Sequence, residues 1–257
     1  VRRIKIFTII DRLNWFSDIW IKYHLKYFKK EQLAFINDKI FLSDEELKNY
    51  LIGKFEYKDD EINIIHSSEQ PKDLAQRHTF MTQFLNNTQS ILLKENDVVI
   101  YLDIDELIYH AELLNILQTF EQDYIVTNSM DITHNINFED DFDFSRPINL
   151  QRNFINTSIT SNWYRKPIIT RKEIQWTDGR HAIAGNLKLK ITFQELFIIH
   201  LGKIDLKFTN YLNKQNKEMR GWVESHNTLI DQQIESYFRQ FTFSRIPEYI
   251  KVALNDL

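Results

Sequence analysis

The chain has 257 residues, 43% of them hydrophobic, which is enough for a full core in one large α/β domain or in one domain with an extension. A formal net charge of −4 speaks against general nucleic-acid binding, which shows as a basic excess, and the absence of cysteine excludes disulfides and thiolate metal sites. No apolar run reaches membrane-span length and no signal peptide opens the sequence, so the chain reads as cytosolic, with at most peripheral membrane contact; starting at Val1, it also reads as trimmed from a longer one.

Arg3 to Ile10 (RIKIFTII) reads as a first buried strand, left by a turn over Asp11 to Asn14. Trp15, Ile19, Trp20, Tyr23 and Tyr27 then recur at spacings of three and four, the period of an amphipathic helix. Leu33 to Ile36 is a second strand ending in Asn37 and Asp38. Asp44 to Leu51 is a short capped helix, Phe55 to Asp60 a polar loop, and Glu61 to His66 a third strand. Pro71 opens a long helix from Lys72 to about Leu93. Strand and helix alternate, which implies a largely parallel sheet with right-handed crossovers.

The next strand, Val98 to Leu102, ends abruptly in acid: DVVIYLDIDELIYH runs from Asp97 to His110. Side chains in extended backbone repeat every second residue, so Asp103 and Asp105 project to one side and share a small volume. A divalent cation is the simplest way to keep both ionised there, and oxygen ligands point to Mg²⁺ or Mn²⁺. The pair lies at the carboxyl end of a buried strand, where open α/β sheets bind ligands. An isolated DxD also fits a helix N-terminus, with Asp105 or Glu106 capping a helix from near Leu107.

Downstream, Ala111 to Phe120 is expected to be helical and Tyr124 to Asn128 a strand, while Glu139, Asp140, Asp141 and Asp143 form a solvated or mobile acidic loop. Lys166 to Thr170 and Glu195 to His200 read as strands flanking Asp178, Gly179, Arg180 and His181. From about Asp205 the pattern turns helical through Arg239, and Pro247 starts a last short helix.

With these residues in hand, the chain resembles glycosyltransferases of the GT-A fold, near glycosyltransferase family 2 and its relatives with a DxDE strand end. IYLDIDELI looks like the family's acidic strand end, IKIFTIIDRLNWFSDIWIKYHLKYF like its first strand and helix, and DLAQRH precedes the DxD by one helix. RKPIITRKEIQW, GRHAI and LFIIHLGKID are similar to the acceptor-side half. The chain departs from the pattern after the first strand, where Asp11-Arg12-Leu13-Asn14 stands in place of Asn-Glu.

The resemblance implies a GT-A-like, Rossmann-like α/β domain over residues 1–205, with a mostly parallel central sheet flanked by helices. Its donor half would span about 1–110 and its acceptor half about 111–205, followed by a C-terminal helical extension over 206–257. It implies a hexosyltransferase moving sugar from a nucleotide sugar, such as a UDP-sugar, to a glycan acceptor with Mn²⁺ or Mg²⁺. An Ile-, Asn- and Lys-rich composition suggests bacterial surface polysaccharide synthesis.

Asp103, Asp105 and a late His200 are then the metal candidates. Thr8, Asp11, Asp38, Arg77 and His78 are the nucleotide and phosphate candidates, and Asp178, Glu173 and His181 are candidates for the catalytic base and its surroundings. Trp163, Trp176 and Trp222 are candidates for stacking on sugar. Two rivals stay open: a sugar- or nucleotide-binding module without catalysis, and a haloacid-dehalogenase-like phosphatase, whose motif has Thr or Val where Glu106 stands.

Overall fold

The computed structural model describes residues 1–37, 41–67, 74–156, 166–177, 182–184, 190–191, 196–209, 211, 239, 242–255 and 257, with backbone alone at 74–78 and 190–191. Among the described residues no helix is long and apolar enough to cross a membrane. The first half alternates as its hydrophobic pattern requires: β1 (Ile4–Ile10), α1 (Trp15–His24), β2 (Leu33–Asn37), α2 (Asp44–Phe55), β3 (Ile64–His66), α3 (Leu74–Leu93) and β4 (Val98–Tyr101). Then come β5 (Glu106–Tyr109), α4 (Leu113–Thr119), β6 (Tyr124–Thr133), β7 (Phe154–Asn156) and β8 (Lys166–Thr170). Short strands β9 (Gln175–Trp176), β10 (Ile183–Ala184) and β11 (Lys190–Ile191) precede β12 (Phe197–Lys203), β13 (Phe243–Arg245) and α5 (Glu248–Ala253).

The chain forms two compact units, one of Val1–Asn128 with Arg165–Phe197, the other of Ser129–Tyr164 with Ile198–Leu257. In the first unit β1 pairs in parallel with β2 on one side and β4 on the other, and β2 pairs in parallel with β3. The strand order is therefore 3-2-1-4, the order of a nucleotide-binding half, and it reverses between β1 and β4. β8 then runs antiparallel to both β4 and β6, and β11 parallel to β6, making a mixed, mostly parallel α/β sheet.

Right-handed crossovers that reverse direction put helices on both faces. On one face Leu85 of α3 packs in a buried cluster with Phe7, Ala34, Ile36, Val99, Tyr101 and Trp176. On the other, Trp20 of α1 meets Phe35 with ring centroids 6.1 Å apart. Helix α1 starts where it does because Asn14 caps it: its Oδ1 accepts from the N–H groups of Phe16 at 2.9 Å and Ser17 at 3.3 Å, and Ser17 Oγ accepts from the Asn14 N–H. Such a cap contributes about 1 kcal/mol.

Several elements differ from the expectations. No helix begins at Leu107; Glu106–Tyr109 is a strand, consistent with the β-branched and aromatic Ile108 and Tyr109, and the helix waits until Leu113. Helix α2 continues to Phe55, absorbing the start of the expected loop, and β6 runs five residues past Asn128.

In the second unit β6 and β13 both pair antiparallel with β7. The acidic loop there is anchored rather than simply solvated. Glu139 accepts from the N–H groups of Asn135 and Asn153 at 2.8 and 2.6 Å, and Phe142 is buried under the Arg152 guanidinium. Of the expected C-terminal helix only 206–209, 211 and 239 are described, and Trp163 and Trp222 fall outside the described residues. Trp176 is core, 3% exposed.

Candidate functional site

The strand order reverses beside β1, at the carboxyl ends of β1 and β4, the position at which open α/β sheets take their ligands. Asp11 follows β1 and Asp103, Asp105 and Glu106 follow β4, so sequence and topology converge on one edge. The acidic residues there form a tight turn. The Glu106 N–H donates to the Asp103 carbonyl at 3.0 Å, and the Asp103 N–H donates back to Glu106 Oε2 at 3.0 Å. Tyr101, two residues earlier and hence on the same side as Asp103, donates its phenol proton to Asp103 Oδ1 at 2.5 Å.

A cation that is not evident from the acidic motif itself sits in this turn. Lys166 Nζ donates to Asp103 Oδ2 at 2.9 Å and to Glu106 Oε1, with side chains 10%, 25% and 3% exposed for Lys166, Asp103 and Glu106. The sheet puts it there. β8 pairs antiparallel with β4 in the register Val99↔Thr170 and Ile100↔Ile169, and continuing that register brings Lys166 opposite Asp103. A lysine opening an otherwise apolar, fully buried strand, KPIIT, was the signal that could have found it, because a buried ammonium is kept only with a carboxylate partner.

Three carboxylates and one ammonium leave the turn with two formal negative charges, which suits a single divalent cation. Both oxygens of Asp103 and both of Glu106 already accept protein donors, and among the described residues no group of three or more His, Asp and Glu is placed to hold a metal. The donor set therefore fits an ion held by one protein carboxylate and completed by phosphate oxygens and water, a common way for Mg²⁺ to be bound. Asp105, partly exposed, is the carboxylate of the turn suited to that contact.

Thr8 is 0% exposed, level with Phe35 inside the sheet, and offers no surface to a ligand. Asp11 pairs with Arg12 at 3.3 Å, and the Arg12 guanidinium lies 4.9 Å from the Phe41 ring centroid. Asp38, Asp178 and His181 lie outside the described residues, as do the side chains of Arg77 and His78 on α3. Glu173 accepts from Ser90 Oγ at 2.6 Å, past the end of β8 opposite Lys166. The four residue steps of β8 alone span about 13 Å, so the structure does not bring Glu173 to the acid turn.

A polar network that the sequence analysis did not single out lies at the ends of β2 and β3. Asn37 donates to Asp44 Oδ1 at 2.9 Å, and Asp44 Oδ2 meets His66 Nδ1 at 3.0 Å.

His200 belongs to the second unit. Its Nδ1 meets Asp131 Oδ1 at 2.7 Å, and Lys203 Nζ donates to Asp131 Oδ2 at 2.9 Å. Burial pushes the Asp131 carboxyl up, but His200 and Lys203 outweigh it and hold the group down at about 2. A carboxylate on Nδ1 fixes the orientation of the ring.

No family model and no curated protein matches the chain. Among solved structures it is similar to S. aureus TarS 1–349, at 12% identity and a TM-score of 0.38, over 92% of this chain and 71% of that one. It is also similar to the mannose-1-phosphate geranyltransferase from Thermus thermophilus, at 7% identity and a TM-score of 0.31, over 100% of this chain and 69% of that one. At such identities and scores neither likeness bears on function.

Proposed function

We propose that this chain is a glycosyltransferase that moves a sugar from a nucleotide sugar, a UDP-sugar in the first instance, to a glycan or polysaccharide acceptor with Mn²⁺ or Mg²⁺, in bacterial surface polysaccharide synthesis. The observation that carries the reading is the Asp103–Glu106 acid turn at the carboxyl edge of a 3-2-1-4 sheet, beside the reversal of strand order. A nucleotide at this edge brings a diphosphate, and its charge must be met somewhere. The first helix of a dinucleotide-binding fold meets it with free N–H groups. Here the Asn14 side chain already occupies those of Phe16 and Ser17, and the turn before α1 holds no glycine. That favours a cation at the acid turn over a dinucleotide bound at the helix end.

The bound ion would act as a Lewis acid on the charge that grows on the departing diphosphate. Asp105 holds the cation in this reading, and Asp103 and Glu106 shape the turn around it. Asp11, which follows β1 at the same sheet edge, is assigned to the nucleoside. An inverting transfer needs a base near the acceptor hydroxyl, for which Asp178 is the first choice and His181 a neighbour; Glu173, tied to Ser90, is left out.

The test is release of nucleoside diphosphate from a panel of nucleotide sugars, with and without Mn²⁺. Mn²⁺-dependent release from at least one donor, lost in Asp105→Ala, is expected. Inorganic phosphate released from sugar phosphates instead would favour the phosphatase reading. Binding without release from any donor would favour a binding module.

A further inference from the structure

The acid turn contains its own cation, and that cation has a consequence for the metal, on the glycosyltransferase reading above. Carboxylates crowded at one strand end form a chelate if nothing restrains them, and a chelate of two or three acids binds a divalent ion before any nucleotide arrives. Lys166 prevents this by geometry. Its Nζ takes one oxygen of Asp103 and one of Glu106, while Tyr101 Oη and the Asp103 N–H take the other oxygen of each. The β8 backbone fixes the lysine through its pairing with β4, and Thr127 Oγ1 donates to the Lys166 carbonyl at 3.0 Å, so the ammonium is not a mobile surface charge.

We propose that Lys166 is a positioning residue that withholds Asp103 and Glu106 from the metal. The turn then binds a divalent cation weakly alone and firmly only when a diphosphate supplies the missing oxygen ligands. The lysine therefore couples metal affinity to the presence of donor. An arginine could keep the two ion pairs, whereas a neutral residue of similar length could not.

The test is Mn²⁺ binding to the intact chain, followed by calorimetry without nucleotide, for the wild type, Lys166→Arg and Lys166→Met. Lys166→Met should bind Mn²⁺ at least tenfold more tightly than the wild type, because two carboxylates become available to the ion, and Lys166→Arg should stay near the wild-type value. Lys166→Met uncovers buried like charges and can fail to fold. The double variant Lys166→Met with Glu106→Gln keeps the formal charge of the turn while still releasing Asp103, and it should tighten Mn²⁺ binding in the same direction but by less, since one carboxylate rather than two becomes available. Unchanged Mn²⁺ affinity in whichever methionine variant folds, or an equal gain in Lys166→Arg, overturns the assignment. A wild type that shows no cooperation between Mn²⁺ and UDP would overturn the coupling to donor together with the transferase reading, whereas the tenfold change, measured without nucleotide, tests by itself whether Lys166 withholds Asp103 and Glu106.

Discussion

The Tyr101 phenol donates to Asp103 at 2.5 Å from a side chain only 1% exposed, so the acid turn is bolted to the hydrophobic core beneath it. Tyr101 packs its ring 5.1 Å from Phe7 and 5.7 Å from Trp176, which leaves the hydroxyl little freedom to point elsewhere. Tyr101→Phe keeps the packing and removes one hydrogen bond to a charged group. Urea unfolding should show a loss of about 1.5–3 kcal/mol. A loss below about 0.5 kcal/mol, the range of neutral surface changes, would mean that the bond carries nothing.

Asp105→Ala should abolish transfer while barely lowering the melting temperature. A partly exposed residue in a turn supports little packing, and removing one of three neighbouring carboxylates relieves repulsion. Full turnover by Asp105→Ala in Mn²⁺-containing buffer would take the cation away from this residue.

Asp178→Asn keeps the shape of the side chain and removes its basicity. Turnover should fall by roughly 10² to 10⁴, the range for general acid–base catalysis, with nucleotide affinity unchanged. Weakened nucleotide binding would move Asp178 to the donor side, and an unaffected rate would make it a turn residue and point to a retaining transfer.

The core of α1 predicts an acid-sensitive fold. His24 is fully buried against Trp20, ring centroids 4.3 Å apart, with Nδ1 on the Trp20 carbonyl at 2.8 Å, and burial pushes its pKa down to about 3. The folded state refuses a proton that the unfolded chain accepts below about 6.5, so this stabilisation is complete above that pH and drains away toward pH 3. The slope approaches about 1.4 kcal/mol per pH unit and sums to the order of 5 kcal/mol. In denaturant unfolding between pH 6.5 and 4, His24→Gln should show a shallower slope by close to one proton. An identical slope in both proteins would show that His24 is protonated without penalty.

Much of the first hundred or so residues was legible because their information is local. The apolar runs of β1, β2 and β4, the heptad-like spacing in α1 and the abrupt change from Leu102 to Asp103 are properties of short windows, and they placed the acids at the sheet edge. The KPIIT run hinted at a paired lysine, but the partner of Lys166 was not legible, since it meets Asp103 only through antiparallel pairing of segments more than sixty residues apart. Glu106–Tyr109 was ambiguous for a related reason: four residues mixing one acid with Leu, Ile and Tyr fit either a first helical turn or a strand. The long reach of β6 was hidden by Asn128 and Ser129, whose polarity ends the apolar run although the Asp131↔Asn156 pairing continues the ladder.

The most direct test of the proposed function is a thermal shift with Mn²⁺ and UDP applied singly and together. If a cation at the acid turn bridges to a diphosphate, the two together should raise the melting temperature well beyond the sum of their separate shifts, with about 2.7 kcal/mol gained at ligand a hundredfold above its dissociation constant. Asp105→Ala should remove the excess. Shifts that merely add, in a protein whose Asp105→Ala variant behaves like the wild type, would contradict metal-assisted nucleotide binding at Asp103–Glu106.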